Sequence, residues 1–185
     1  MTALWHPFTQ HKTAGPMIKI ARAQGAHLFR EDGTKIIDGI SSWWVNTHGH
    51  NHPKIVQAVQ QQAEVLDQVI FAGFTHDPAE QLAQKLLQVT DHHYSKVFLS
   101  DSGSTSVEVA LKMAIGYWRN TGPARTRILA LEHAYHGDTI GTMSASARGV
   151  FNRAYEPLLY DVEHIPFPAT GREQDGRGHA GGERQ

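Results

Sequence analysis

The segment Phe98-Leu-Ser-Asp-Ser-Gly-Ser-Thr-Ser-Val-Glu-Val-Ala-Leu-Lys112 joins an apolar run to a helical one through a turn of small residues. Val97–Ser100 is expected to form a short strand. Thr105 is expected to cap the following helix, with Glu108 three positions on completing a capping box. The backbone N–H groups of Gly103, Ser104 and Thr105 would then point out of the helix start. Unsatisfied donors and partial positive charge at a helix N-terminus favour a phosphate or carboxylate. Gly103 lets the backbone approach such an anion, and the Ser104 hydroxyl adds a donor. The same residues also read as an ordinary strand-to-helix turn with a polar cap.

Downstream, the helix carries Val107, Val109, Leu111, Met113, Ile115 and Trp118 nearly all round, so it is expected to be deeply packed. Gly122-Pro123 stops it. Ile128–Leu131 reads as another short strand, leading through His133-Ala-Tyr-His-Gly-Asp138 into a further helix. Strands alternating with helices imply a parallel α/β sheet, in which ligands bind beyond the carboxyl ends of the strands. Loops 101–105 and 133–138 both fall at those ends, and their coincidence favours the phosphate-site reading.

Upstream, residues 1 to about 16 form an extended polar arm. Ala26–Arg30 and Lys35–Ile40 flank Asp32-Gly33, a hairpin signal. Pro53 opens a helix with Asn51 or His52 as cap, and Ile55, Val56, Val59, Ala63 and Leu66 mark one buried face. Asp77-Pro78-Ala79-Glu80 reads as a second capping box, followed by the stripe Leu82, Leu86 and Val89. Two adjacent tryptophans, Trp43 and Trp44, would point to opposite faces of a strand, so one can enter a core while the other lines a pocket. Packing alone also accounts for them.

The composition excludes several function classes. Net charge is −1 with 17 basic and 18 acidic residues, which gives no electrostatic footprint for nucleic acid or an anionic membrane. The chain has no cysteine, so neither disulfides nor thiolate metal sites are available. That fits a cytoplasmic setting, as does an N-terminus without a basic region followed by an apolar stretch. No apolar run reaches membrane-spanning length. His48, His50 and His52 alternate ahead of Pro53 and raise the question of zinc. They read more simply as a turn rich in glycine, histidine and asparagine, and no metal is expected. From Ala169 onward there is no large apolar residue, so residues 169–185 cannot bury enough surface to offset their ordering entropy.

Six motifs occur in order: Trp5-His-Pro-Phe-Thr9, Ser41-Ser-Trp-Trp-Val45, Gly49-His-Asn-His-Pro53, Phe71-Ala-Gly-Phe-Thr-His-Asp-Pro-Ala79, Ser100-Asp-Ser-Gly-Ser104 with Val107-Glu-Val-Ala110, and Ala134-Tyr-His-Gly-Asp-Thr139. Together they resemble the class III, pyridoxal-phosphate-dependent aminotransferases. Within these they resemble the adenosylmethionine-8-amino-7-oxononanoate aminotransferase (7,8-diaminopelargonic acid synthase) family of biotin synthesis. The resemblance covers residues 5 to about 168. It implies a truncated α/β fold of fold-type I. Residues 1–53 would be an arm and hairpin belonging to the small domain, 54–168 the first part of the large domain with its mainly parallel sheet, and 169–185 a disordered tail, for which a non-native origin by frameshift or gene-model error and a split gene all stay open.

The resemblance also implies roles. Gly103 and Ser104 would hold the phosphate of pyridoxal 5'-phosphate. Tyr135 would lie against the cofactor ring and near the substrate, and Trp43 would line the substrate pocket. Phe8 stands where the adenosylmethionine-using members carry a tyrosine that contacts substrate. The amino acceptor would be 8-amino-7-oxononanoate and the donor S-adenosylmethionine, with lysine as the alternative. The full-length form would be a homodimer. The Schiff-base lysine, the acid facing the pyridine nitrogen and the substrate-carboxylate arginine all lie beyond residue 185 in the family. None of the lysines at 12, 19, 35, 54, 85, 96 and 112 matches the lysine motif. Three readings stay open: an aminotransferase portion, inactive alone; a non-catalytic fragment or interaction module of that fold; and another class III omega-amino acid transaminase.

Overall fold

The computed structural model describes residues 2–168, so the expectation for the 169–185 tail lies outside the described residues. The chain divides between Leu82 and Ala83 into two compact units, each taken by itself below.

The first unit holds a three-stranded antiparallel sheet in the order β1 (Ile20–Gln24), β2 (His27–Arg30), β3 (Lys35–Ile37). The Asp32-Gly33 turn forms as expected: Gly33 has φ 83°, and Asp32 Oδ1 accepts the Thr34 N–H at 2.9 Å. Strand β1, unanticipated in the sequence, joins β2 through Gly25-Ala26, with Gln24 opposite His27. Gly25 approaches Gly49 so closely that a side chain on Gly49 (φ 80°) would sit 3.0 Å from the Gly25 Cα. Helix α2 runs Pro53–Val65 with His52 at the cap position and proline in its first turn. The His52 side chain makes no cap bond, however.

Between β3 and α2 lies a single helical turn, α1 (Ser41–Trp44), wound left-handed. The φ angles of Ser41, Ser42, Trp43 and Trp44 are 49°, 47°, 67° and 69°. The expected strand geometry of the tryptophan pair is therefore corrected. Each such non-glycine residue costs about 1–2 kcal/mol, so local propensity alone would not select this conformation.

Helix α3 (Asp77–Val89) starts at Asp77, with the His76 carbonyl accepting from Ala79 and Glu80. The expected Asp77–Glu80 capping box does not form, because Glu80 instead accepts from the Thr75 hydroxyl.

The second unit is built around α4 (Gly103–Thr121) and a β4–α5–β5 crossover. Strand β4 (Leu129–Leu131) pairs in parallel with β5 (Glu163–Ile165), Ala130 lying opposite His164. Helix α5 (Ile140–Ala145) and a 3₁₀ turn (Arg153–Leu158) lie between them. This is the expected strand–helix alternation with parallel pairing. The expected strand at Val97–Ser100 forms no ladder among the described residues. Helix α4 ends at Thr121 with Gly122 as its cap, as the Gly122-Pro123 signal predicts.

Burial departs most from expectation. Among the described residues the buried apolar side chains are Ala130, Met143 and Ala145, beside buried Thr142, Ser144, Ser146 and Asn152. None of α2, α3 or α4 carries a buried residue, so the deep packing expected of α4 and the buried faces expected of α2 and α3 are not realised. Val59, Leu82 and Met113 remain 63%, 46% and 50% exposed. Covering a side chain of this size stabilises a fold by about 1.5–3 kcal/mol. Among the described residues no element fully covers these faces.

Candidate functional site: an anion-ready helix start and an aromatic pair

Ser102, not Thr105, is the N-cap of α4. Its Oγ accepts the Thr105 N–H at 3.1 Å, and the Thr105 hydroxyl oxygen accepts the Ser102 N–H at 2.9 Å. This reciprocal pair replaces the Thr105–Glu108 box expected from sequence, and the helix starts three residues earlier. The reason is chemical. A threonine hydroxyl at the third helical position closes the box as well as a carboxylate does, which frees Glu108 for another task. The Thr105 N–H is therefore occupied rather than pointing outward. The N–H groups of Gly103 and Ser104 have no partner among the described residues. They occupy the first turn, where no intrahelical acceptor exists.

Ser104 is held from outside the helix. Its Oγ accepts the Asp138 N–H at 3.1 Å, leaving its own proton free to be donated. This bond brings loops 101–105 and 133–138 to one edge, as expected. Gly137 makes the approach possible: it has φ 135°, and a Cβ there would lie 2.7 Å from both Cα and Cβ of Ser104. Glu108 provides a second tie. Its carboxylate accepts from the Thr139 hydroxyl at 2.5 Å and from the Thr142 N–H at 3.0 Å. The loop is also fastened at its far side, where His136 N–H donates to Ser146 Oγ at 2.9 Å and Ala147 N–H to the Ala134 carbonyl at 2.9 Å.

Tyr135 stands 71% exposed on this loop. Its hydroxyl donates to Asp138 Oδ2 at 2.8 Å. That bond, with some burial, raises the phenol pKa and keeps it protonated. Asp138 thus fixes both loops, donating its backbone N–H to Ser104 and accepting from Tyr135. Sequence reasoning passed over it, although its position three residues after Tyr135 in a glycine turn was the available signal. Glu108 was likewise assigned to the wrong partner.

In the first unit, Phe8 and Trp43 come together, with ring centroids 5.8 Å apart at 38°. Trp44 stands edge-on to Trp43 at 6.3 Å and 90°. Phe8, at φ 53°, is 75% exposed and Trp43 is 57% exposed, so the pair offers open aromatic surface. The histidine trio does not converge: His48 Nδ1 meets the Thr47 hydroxyl at 2.9 Å and His50 Nε2 meets Asp38 Oδ2 at 2.8 Å. Among the described residues no group of three His, Cys, Asp or Glu side chains could hold a metal ion. No helix among them is long and apolar enough to cross a membrane.

A glycine–serine helix start whose two N–H donors have no partner among the described residues, and a serine hydroxyl fastened by a Tyr-His-Gly-Asp loop, stand in an α/β unit with parallel strand pairing. The sequence pattern of the aminotransferase class-III family matches residues 8–182, and the chain belongs to that family. A relative from Synechococcus elongatus, an adenosylmethionine-8-amino-7-oxononanoate aminotransferase, is 53% identical over 167 residues, covering 90% of this chain and 39% of that protein. One of the same description from Nitratidesulfovibrio vulgaris is 43% identical over 171 residues, covering 89% of this chain and 31% of the relative.

Among solved structures, the enzyme of the same description from Methanocaldococcus jannaschii superposes with a TM-score of 0.83 at 35% identity, covering 89% of this chain and 38% of that one. A pyridoxal-phosphate-bound amine transaminase from an uncultivated Pseudomonas species superposes at 0.80 with 32% identity, covering 91% and 39%. The fold is therefore that of the class III transaminases. The chain spans between 31% and 39% of the length of these relatives.

Proposed function

We propose that this chain carries the phosphate-holding turn and part of the substrate pocket of a pyridoxal-phosphate-dependent aminotransferase. The proposed reaction converts 8-amino-7-oxononanoate to 7,8-diaminononanoate, with S-adenosylmethionine as the default amino donor and lysine as the alternative. The observation that carries this reading is the start of α4, where two unpartnered N–H groups lie beside a serine hydroxyl whose acceptor side is already filled. That donor set suits a dianionic phosphate better than a neutral ligand.

Gly103 and Ser104 would hold the phosphate through their N–H groups and the Ser104 O–H. Tyr135 would present a ring face to the cofactor, its tilt limited by the bond to Asp138. Phe8 and Trp43 would pack against the apolar chain of the keto substrate. Phe8 offers no hydroxyl to a donor molecule, which is what opens the choice between adenosylmethionine and lysine. Pyridoxal phosphate, when bound, supplies the electron sink that amino-group transfer needs. Residues 1–53 would belong to the small domain and 54–168 to the large one. The complete protein would be a cytoplasmic homodimer. Trp5-His6-Pro7 and Trp43-Trp44 favour the biotin-pathway substrate over a general omega-amino acid.

None of the chain's lysines matches the family's reactive lysine, so the chain alone should show no transaminase activity. The test is to purify residues 1–185, add pyridoxal phosphate, reduce with borohydride and map modified lysines. Scattered, substoichiometric adducts without turnover are expected. A single stoichiometric adduct with turnover of 8-amino-7-oxononanoate would overturn this reading. Ser104→Ala should weaken cofactor binding by about tenfold to a hundredfold, since a hydrogen bond to a charged group contributes about 1.5–3 kcal/mol.

A further inference from the structure

Four successive non-glycine residues with positive φ, at Ser41–Trp44, persist only where neighbours over-determine the backbone. The neighbours that do so are identifiable. The Ser42 hydroxyl donates to Asp38 Oδ2 at 2.7 Å, and His50 Nε2 meets the same oxygen at 2.8 Å. The Asp38 and His50 side chains are only 5% and 15% exposed. Both are anchored to the β1–β2 turn: Asp38 N–H donates to the Ala26 carbonyl at 2.9 Å, and His50 exchanges backbone bonds of 2.8 and 3.0 Å with Gly25. The Ser41 carbonyl then accepts from both Val45 and Asn46 at 3.1 Å, closing the turn.

Glycine at position 42 would adopt this backbone without strain. Serine accepts the strain and brings the hydroxyl that reaches Asp38. The consequence is local and directional, because the turn sets the Trp43 ring beside Phe8. A strand or a right-handed turn at 41–44 would carry that ring elsewhere.

We infer that Asp38, Ser42 and His50 are positioning residues, a clamp that holds the left-handed turn and so places Trp43 against Phe8. Its consequence for substrate rests on the proposed reading that Phe8 and Trp43 face the keto substrate, whereas the clamp itself does not depend on that reading.

Fluorine NMR of the 185-residue chain labelled with 5-fluorotryptophan tests it. The four tryptophans are assigned by single Trp→Phe replacements. Asp38→Asn and Ser42→Ala should shift or broaden the Trp43 and Trp44 signals and leave Trp118, in the other unit, unmoved. Ser42→Gly should disturb Trp43 less than Ser42→Ala, because glycine tolerates the turn without the clamp. An unmoved Trp43 signal, an equal response at Trp118, or equal effects of Gly and Ala at position 42 would overturn the inference. In the complete aminotransferase carrying this segment, Asp38→Asn should raise KM for 8-amino-7-oxononanoate about tenfold, with kcat within about twofold. A shifted Trp43 signal with unchanged KM would refute the substrate reading while upholding the clamp.

Discussion

Replacing Gly137 with alanine attacks the fold and the candidate site at one point. Gly137 sits at φ 135°, a region alanine rarely adopts, and its added Cβ would lie 2.7 Å from the Ser104 Cα and Cβ. The backbone term costs about 1–3 kcal/mol. Relieving the overlap by moving the loop costs about 1–3 kcal/mol more. The Ser104 Cα belongs to a helix and cannot swing away, so the loop must retreat. It would take with it the 3.1 Å bond from Asp138 N–H to Ser104 Oγ. Even about 2 kcal/mol corresponds to roughly thirtyfold in local opening. Amide exchange at Asp138, and at Ala147 whose N–H donates to the Ala134 carbonyl, should accelerate at least that much. The β1–β2 amides should be unaffected. Because two of the three obstructing atoms belong to the Ser104 side chain, Ser104→Gly should restore part of the protection at Ala147 in the double variant, though not at Asp138, whose acceptor it removes. Unchanged exchange at Asp138 in the single variant would refute the argument that Gly137 is required for this contact.

Ser102→Ala should destabilise the first turn of α4 by about 0.5–2 kcal/mol, read as faster exchange at Thr105; loss of equal size from Glu108→Gln at that amide would instead revive the Thr105–Glu108 box. Phe8→Tyr in a full-length version should alter the ratio of activity with adenosylmethionine to that with lysine more than it alters KM for the keto substrate, since one hydrogen bond contributes about 0.5–1.5 kcal/mol; unchanged donor ratios would dismiss the idea. The Asp38 carboxyl is held down to about 2 from its ordinary 3.8 by the Ser42 N–H, the His50 ring and the Ser42 hydroxyl. A depressed pKa contributes stability that is present above the unfolded value and lost as pH falls through the folded one. The first unit should therefore loosen between about pH 4 and 2, followed by the Trp43–Trp44 near-ultraviolet signal, and Asp38→Asn should abolish that transition.

Local chemistry was legible wherever a residue type has one dominant backbone use. Asp32-Gly33 signalled a hairpin, and Gly33 has the positive φ it requires. Pro53 and Gly122 marked a helix start and a helix end, and both hold. The Gly103-Ser104 turn and the Tyr135 loop were recognisable as one edge because glycine, serine and a following helix constrain each other within a few residues. The start of α4 lies three residues before the expected one because Ser102 and Thr105 are both competent caps, and only backbone geometry chooses between them.

The handedness of Ser41–Trp44 was beyond local reading, since serine and tryptophan have no preference for positive φ. Asp38 and His50, respectively before and after the turn in sequence, impose it through bonds of 2.7 and 2.8 Å. Burial was beyond it for a different reason. A periodic apolar face states that a helix needs cover but not where the cover comes from, and the faces of α2, α3 and α4 remain open among the described residues. The sequence by itself determined the family, the Asp32-Gly33 turn, the helix start at Pro53 and the helix end before Gly122, because these follow from motifs and short-range conformational limits. The tertiary structure alone decided that Ser104 is gripped by Asp138, that Glu108 fastens α5, and that Trp43 meets Phe8, because each contact joins residues 31 or more positions apart whose approach no local propensity encodes.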